Sequence, residues 1–281
     1  MYDTAVIGTG PAGLSAALCL KLHEKELIWF GSPQMSGKVE KSEKIANYPG
    51  LGLISGEELN QRFRAHAEEM GLVCTDQMVT SVMPMGGSFS LLAGNEVYQA
   101  RTVLLASGVV SAKGFEGESD FLGRGVSYCA TCDGFLYKGK TIAVYCGAER
   151  YEHEAAYLAE IAEKVYLYTP YRDSTLSLPN IERIGPIRAI FGGMKAGGIR
   201  LADGTEIPVD GVFCLRNAVA PSALLPGIAL NGAHIETDRN QATNIPGVYA
   251  AGDCTGRPYQ LTKAVGEGNI AAHAILEYLS E

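Results

Sequence analysis

The sequence predicts an α/β fold of two Rossmann-like (three-layer ββα) nucleotide-binding-type domains, the second inserted in the first. Three observations carry this expectation. A β-branched run, a glycine-containing turn and a helical segment follow one another twice, starting near residues 4 and 140. A strand-like run ending in Gly-Asp, residues 247–253, precedes a long helical segment at the C-terminus, so both ends of the chain contribute to one domain. The length of 281 residues, with 47% hydrophobic and 19% charged, suits a globular enzyme with a sizeable core. The expected boundaries are 1–113, 114–238 and 239–281, the middle segment being the insertion.

The elements follow in order. Residues 4–7 are a buried parallel strand, which ends in Gly8-Thr-Gly10-Pro-Ala-Gly13. Residues 14–22 read as a helix and 27–30 as a second strand, completing a βαβ unit. Another helix is expected over 56–70, then short strands to about 106. The pattern restarts with a strand over 140–145, a helix over 151–162 and a strand over 164–168. The last helix is expected over 258–279.

A net charge of −8 argues against nucleic acid, which calls for a basic face. No apolar run reaches the roughly 18 residues that span a bilayer. Met1-Tyr2-Asp3-Thr4 leads into a strand without a basic start or a small-residue cleavage site, so a cytoplasmic location is the expectation. Cysteines stand at 19, 74, 129, 132, 146, 214 and 254, and only one pair is closely spaced. The others read as small core residues in a reducing compartment.

In the first turn, Gly8 permits the sharp bend, Gly10 admits a pyrophosphate and Gly13 lets helix and strand pack closely. The phosphate charge then meets free N–H groups at the helix N-terminus. Phe30-Gly31-Ser32 stands where an acidic residue would hold an NAD ribose, which argues against NAD here.

Cys129-Ala-Thr-Cys132 lets two thiols close a small ring, and a helix N-terminus would lower the pKa of the attacking thiol. Asp133 follows directly and could move the proton of thiol–disulfide exchange, or simply cap a helix. No metal site is expected, because a structural zinc site needs four ligands and no second C-x-x-C or H-x-H occurs. Spacing leaves open which cysteine faces a cofactor and which a substrate.

Taken together, Gly8-Thr-Gly-Pro-Ala-Gly13, Asn47-Tyr-Pro-Gly50, Ala106-Ser-Gly108, Cys129-Ala-Thr-Cys-Asp133 and Ala251-Gly-Asp-Cys-Thr-Gly256 resemble the thioredoxin reductases over nearly the whole chain. The resemblance implies FAD at the first site, bounded by Gly8, Gly10, Pro11, Ala12, Gly13, Gly31, Ser32, Val79 and Gly108. It places Gly252 and Asp253 at the ribityl hydroxyls, Gln260 and Leu261 at the pyrimidine edge, and Asn47 near the isoalloxazine. It also implies a homodimer, thioredoxin as substrate, and Cys129, Cys132 and Asp133 as catalytic residues.

The second nucleotide site departs from that family. Members using NADPH carry Gly-Gly-Gly-Asn/Asp-Ser-Ala after the inserted domain's first strand; this chain has Cys146-Gly-Ala-Glu-Arg-Tyr151. A Cβ at Ala148 obstructs a pyrophosphate, Tyr151 replaces a small packing residue, and Glu149 sets negative charge at a helix start where phosphate would go. The basic cluster that reads a 2′-phosphate is replaced by Tyr168-Thr-Pro-Tyr171, with Arg172 alone nearby. In this, and in Ala251 to Gln260 followed by Lys263-Ala-Val-Gly-Glu-Gly268, the chain resembles the ferredoxin-dependent flavin thioredoxin reductases. That resemblance implies two single-electron transfers from ferredoxin to FAD, reduction of the Cys129–Cys132 disulfide, and exchange with thioredoxin. The drop from about −400 mV to about −270 mV releases roughly 6 kcal/mol for two electrons. Lys38, Lys41 and Lys44 are a candidate patch for an acidic ferredoxin, or an ordinary solvated loop. An NADPH-dependent thioredoxin reductase with a degenerate site and an FAD-dependent dithiol oxidase are the alternatives.

Overall fold

The β-branched Thr4, Val6 and Ile7, with the small Ala5 between them, let Tyr2–Ile7 lie between two strands, its last four side chains buried. Thr4 is buried there because its hydroxyl bonds Thr102 at 2.9 Å. The computed structural model describes residues 1–108, 114–118, 120–128, 130–216 and 219–281, and of Cys132 only the backbone. In chain order the elements are β1 (Tyr2–Ile7), α1 (Pro11–Leu22), β2 (Leu27–Phe30), α2 (Gly37–Glu40), α3 (Gly56–Glu69), β3 (Cys74–Thr75), β4 (Val79–Pro84), β5 (Phe89–Ala93) and β6 (Glu96–Leu105). There follow β7 (Val126–Ser127), α4 (Ala130–Asp133), β8 (Thr141–Cys146), α5 (Glu152–Ile161), β9 (Lys164–Tyr168), β10 (Ile181–Arg183), β11 (Ile187–Gly192), β12 (Ala196–Leu201), β13 (Glu206–Pro208) and β14 (Gly211–Leu215). The chain ends with α6 (Pro221–Leu224), β15 (Leu230–Asn231), β16 (His234–Ile235), β17 (Val248–Ala250) and α7 (Leu261–Ser280).

These elements form two compact units, 1–111 with 224–281, and 112–223. In the first, a sheet runs β3-β2-β1-β6-β5-β4, with β17 also on β6. Strand β6 is long enough to serve both: residues 96–100 pair with β5, and 103–105 with β17. Apolar residues of α1 and α7, among them Leu14, Leu20, Ala271 and Ile275, close over Val6, Trp29 and Leu104. Full burial of a leucine such as Leu20 contributes about 2 kcal/mol. The Ser55 hydroxyl accepts from Glu58 N–H at 3.1 Å, which starts α3 after the loop.

The second unit holds a five-stranded parallel sheet, β10-β9-β8-β14-β7, and an antiparallel one, β11-β12-β13. Ile142, Val144, Leu158, Val165, Leu167 and Phe213 form the core beneath α5. The expected α/β class with two Rossmann-like halves is what the fold shows. Among the described residues no helix is long and apolar enough to cross a membrane.

Candidate functional site

At the first glycine turn, Gly8 has φ +122°, and a Cβ there would lie 2.2 Å from the Ala106 carbonyl. A Cβ on Gly13 would come within 1.9 Å of the Gly8 carbonyl, so helix and strand touch through bare backbone. Gly10 faces open space, and as the N-cap of α1 it leaves that helix end without a side-chain cap. Pro11 and Ala12 form the first turn, and the Trp29 indole N–H holds the loop through the Gly8 carbonyl at 2.9 Å. An open, glycine-lined, uncapped N-terminus fits a pyrophosphate. Gly31 lies against Thr9, and the Ser32 hydroxyl donates to Gln34 rather than standing free. Val79 is buried at the start of β4, and Gly108 has φ +70° with open space around it.

The C-terminal part of this unit brings further predicted residues together. The Asp253 carboxylate, 15% exposed, is held by Lys38 at 2.5 Å, and Lys38 also lies 4.8 Å over the Tyr259 ring. Asn47 Nδ2 donates to Gln260 Oε1 at 3.0 Å, joining the loop after α2 to the start of α7, where Leu261 is the first helical residue. Lys38 is therefore occupied, and exposed Glu40 and Glu43 alternate with Lys41 and Lys44. The candidate basic patch is a mixed surface.

Sequence reasoning missed the support behind Gly252 and Asp253. Glu267 Oε2 accepts from Gly252 N–H at 2.8 Å, from the Thr255 hydroxyl at 3.0 Å and from Lys263 Nζ at 2.9 Å. Lys263 Nζ also donates to the Gly252 carbonyl at 2.9 Å. An i,i+4 pair on α7 thus fixes the backbone that presents Asp253; the spacing in Lys263-Ala-Val-Gly-Glu267 was its signal.

In the second unit Cys129 lies outside the described residues, and Cys132 falls in α4. Asp133 follows it and does not cap the 3-10 turn Gly134–Tyr137. Phe135 and Leu136 on that turn are 65% and 53% exposed. Glu154 on α5, another residue the sequence reading missed, bonds the backbone of Ala130. Burial pushes its carboxyl up, against weaker opposing pulls from His153, that backbone bond and Arg150.

The carboxyl edge of the parallel sheet, where nucleotides bind in such folds, is filled by the chain's own side chains. Cys146 Sγ sits 3.3 Å from the Tyr171 hydroxyl, which donates to Glu152 at 2.9 Å. Thr175 donates to the other Glu152 oxygen at 2.8 Å, so the loop after β9 lies over the start of α5. Ala148 leads into a 3-10 turn, Glu149–Tyr151, in place of a regular first turn, and Tyr151 packs on the core. The Tyr145 ring, at the end of β8, lies 5.6 Å from Tyr168 and 5.2 Å from Phe115. The Arg216 guanidinium stacks 4.9 Å over Tyr145. Two negative charges at the helix start, Glu149 and Glu152, complete an arrangement that does not fit a pyridine nucleotide.

These features define a Rossmann-type protein with one open and one filled nucleotide-type site. The chain belongs to the pyridine nucleotide-disulphide oxidoreductase family, whose model matches residues 2–168 and 191–268. It is similar to the thioredoxin reductase of Listeria monocytogenes, with 31% identity over 100% of this chain and 95% of that protein. The Bacillus subtilis thioredoxin reductase is also 31% identical, over 100% of this chain and 96% of its own length. Among solved structures, a ferredoxin-flavin thioredoxin reductase from Clostridium acetobutylicum shares 42% identity and a TM-score of 0.91, covering 99% of this chain and 97% of that one.

Proposed function

We propose that this chain is a flavoprotein disulfide reductase that passes electrons from reduced ferredoxin through FAD and the Cys129–Cys132 pair to thioredoxin. The observation that carries the choice of donor is the filled carboxyl edge of the second unit's parallel sheet. Tyr145, Tyr168, Tyr171 and Arg216 occupy it, and Glu152 spends both oxygens on the loop above, so NADPH has neither room nor a positive helix end. The 42% identity to a ferredoxin-flavin thioredoxin reductase supports the same donor, cofactor and acceptor.

In this reading residues 1–113 and 239–281 form the FAD-binding domain, and 114–238 carry the redox pair and the degenerate nucleotide site. The uncapped start of α1, with Gly8, Gly10, Pro11, Ala12 and Gly13, holds the pyrophosphate. Gly31, Ser32, Val79 and Gly108 are assigned to the same cofactor. Asp253, positioned by Lys38 and by the Lys263–Glu267 pair behind Gly252, takes the ribityl hydroxyls; Asn47, Gln260 and Leu261 face the ring. FAD, when bound, exchanges electrons singly with a ferredoxin and in pairs with a disulfide.

The chain's own chemistry is dithiol exchange. One thiolate of the reduced pair attacks a thioredoxin sulfur, the other displaces the mixed disulfide, and two electrons and two protons leave as thioredoxin's thiols. Asp133 takes the proton of the attacking thiol, and Glu154, kept protonation-prone by burial, is a second carboxyl beside Ala130. We place the protein in the cytoplasm, as a homodimer.

Anaerobic mixing tests the donor. Reduced ferredoxin is expected to bleach the flavin, and millimolar NADPH to leave it yellow; rapid bleaching by NADPH would overturn the assignment. A separate expectation concerns Phe135 and Leu136, exposed apolar side chains on the turn following the pair. The substitution Phe135→Asp should raise KM for thioredoxin about tenfold while ferredoxin-driven bleaching keeps its rate. Steady-state titration with thioredoxin reads the first, and stopped-flow absorbance the second.

A further inference from the structure

We propose that Cys19, His23 and His273 form a binding site for a borderline-soft divalent cation, best matched by zinc, which clips α1 to α7. The chain has five histidines, and two of them converge on one thiol. Cys19 lies in the last turn of α1 and His23 is its C-cap, four residues on, with His23 N–H donating to the Cys19 carbonyl at 3.2 Å, so both stand at the same helix end. His273 comes from α7, with Nε2 3.8 Å from Cys19 Sγ, and its ring lies 5.9 Å from that of His23, edge to face. The three ligand atoms lie within 4.8 Å of one another.

Tetrahedral zinc, with Zn–S about 2.3 Å and Zn–N about 2.0 Å, sets sulfur and nitrogen ligands roughly 3.5 Å apart. The sulfur–nitrogen pair is already near that separation, and the exposed imidazoles need only small rotations. Glu277, one turn beyond His273, borders the same surface hollow with His23, Lys25, Leu276 and Ser280. That leaves a fourth position for water or the Glu277 carboxylate, and a route in from solvent. A buried thiol alone would be an ordinary core cysteine, and two exposed histidines alone an ordinary surface. Their convergence makes the donor set of two nitrogens and one sulfur that suits zinc over magnesium or calcium.

Binding replaces the Cys19 thiol proton, released to solvent, with the metal. Cys19 is nine residues from Gly10, about 13 Å along the helix. The metal therefore does not touch the glycine turn: it joins two helices of the first unit. Because the unfolded chain does not hold the three ligands together, occupancy stabilises the folded state.

Cobalt(II) is the spectroscopic probe, used on the air-oxidised holoenzyme and on holoenzyme carrying Cys129→Ser and Cys132→Ser, so that the redox thiols cannot contribute. One equivalent should give intense tetrahedral d–d bands to the red of the flavin and a sulfur-to-cobalt charge-transfer band, both displaced by zinc. His23→Ala and His273→Ala should each weaken zinc binding, measured calorimetrically, at least about tenfold. Cys19→Ser should remove the sulfur band. Zinc should raise the thermal midpoint of the parent protein and not of His273→Ala, with flavin content equal in both. A weak octahedral spectrum, or zinc affinity unchanged in the two histidine variants, would overturn the proposal without touching the assignment of function.

Discussion

Replacing the second cysteine of the pair, Cys132→Ser, is expected to end thioredoxin reduction while ferredoxin still bleaches the flavin. One thiol can attack a disulfide, but without its neighbour it cannot displace the mixed disulfide that results. The electrons would stop inside the protein, and turnover should fall on the order of 10⁴-fold or more, since residues acting as a unit fail together. Cys129→Ser should behave alike in turnover and differ in which variant forms a stable adduct with thioredoxin, a difference mass spectrometry reads directly. That comparison assigns the attacking sulfur, which the spacing of the motif leaves open. Asp133→Asn should cost less, about 10²-fold, since general acid–base help is partial. Full thioredoxin turnover in Cys132→Ser would remove the pair from the electron path.

How much of this was legible beforehand depends on whether the physics was local. The turn Gly8-Thr-Gly-Pro-Ala-Gly13 announced itself because each glycine answers a steric demand met within a few residues or by one neighbouring strand. The degenerate second site was legible for the same reason: Ala148 and Tyr151 alter a fingerprint of fixed spacing. What covers that site was not. Tyr171 reaches Cys146 across 25 positions, and Glu118 meets Arg216 across 98, so only the fold brings them together. Lys38 read as a free charge in a loop, because its partner Asp253 lies 215 residues away. The sheet β11-β12-β13 shows in the sequence only through the local hairpin signal Asp203-Gly204 between β12 and β13, because β12 carries two glycines and β13 is three residues long, which weakens any strand pattern.

The substitution Glu118→Gln should destabilise the second unit more than any change at its surface. Glu118 is 2% exposed and Arg216 6%, and their ion pair measures 2.9 Å. The same carboxylate accepts from Phe115 N–H at 2.8 Å and from the Tyr128 hydroxyl at 2.8 Å. Arg216 has Phe115 and Tyr145 rings at 5.1 and 4.9 Å, and its Nε has no hydrogen-bond partner among the described residues. Removing the negative charge leaves a buried guanidinium with aromatic faces as its main compensation, at a cost of about 3–5 kcal/mol. A calorimetric scan should show a midpoint roughly 10 °C lower. The double variant Glu118→Met/Arg216→Met buries no charge and should recover most of that loss, because replacing both members avoids the uncompensated ion. If the single variant melted with the parent protein, the pair would be solvated and the filled sheet edge looser than its distances imply. The network matters to function because Tyr128 immediately precedes Cys129: the carboxylate that neutralises Arg216 also anchors the segment entering the redox motif. Glu118→Gln should therefore shift the midpoint potential of the Cys129–Cys132 couple as well as the melting temperature, whereas Glu206→Gln, at an exposed ion pair, should shift neither.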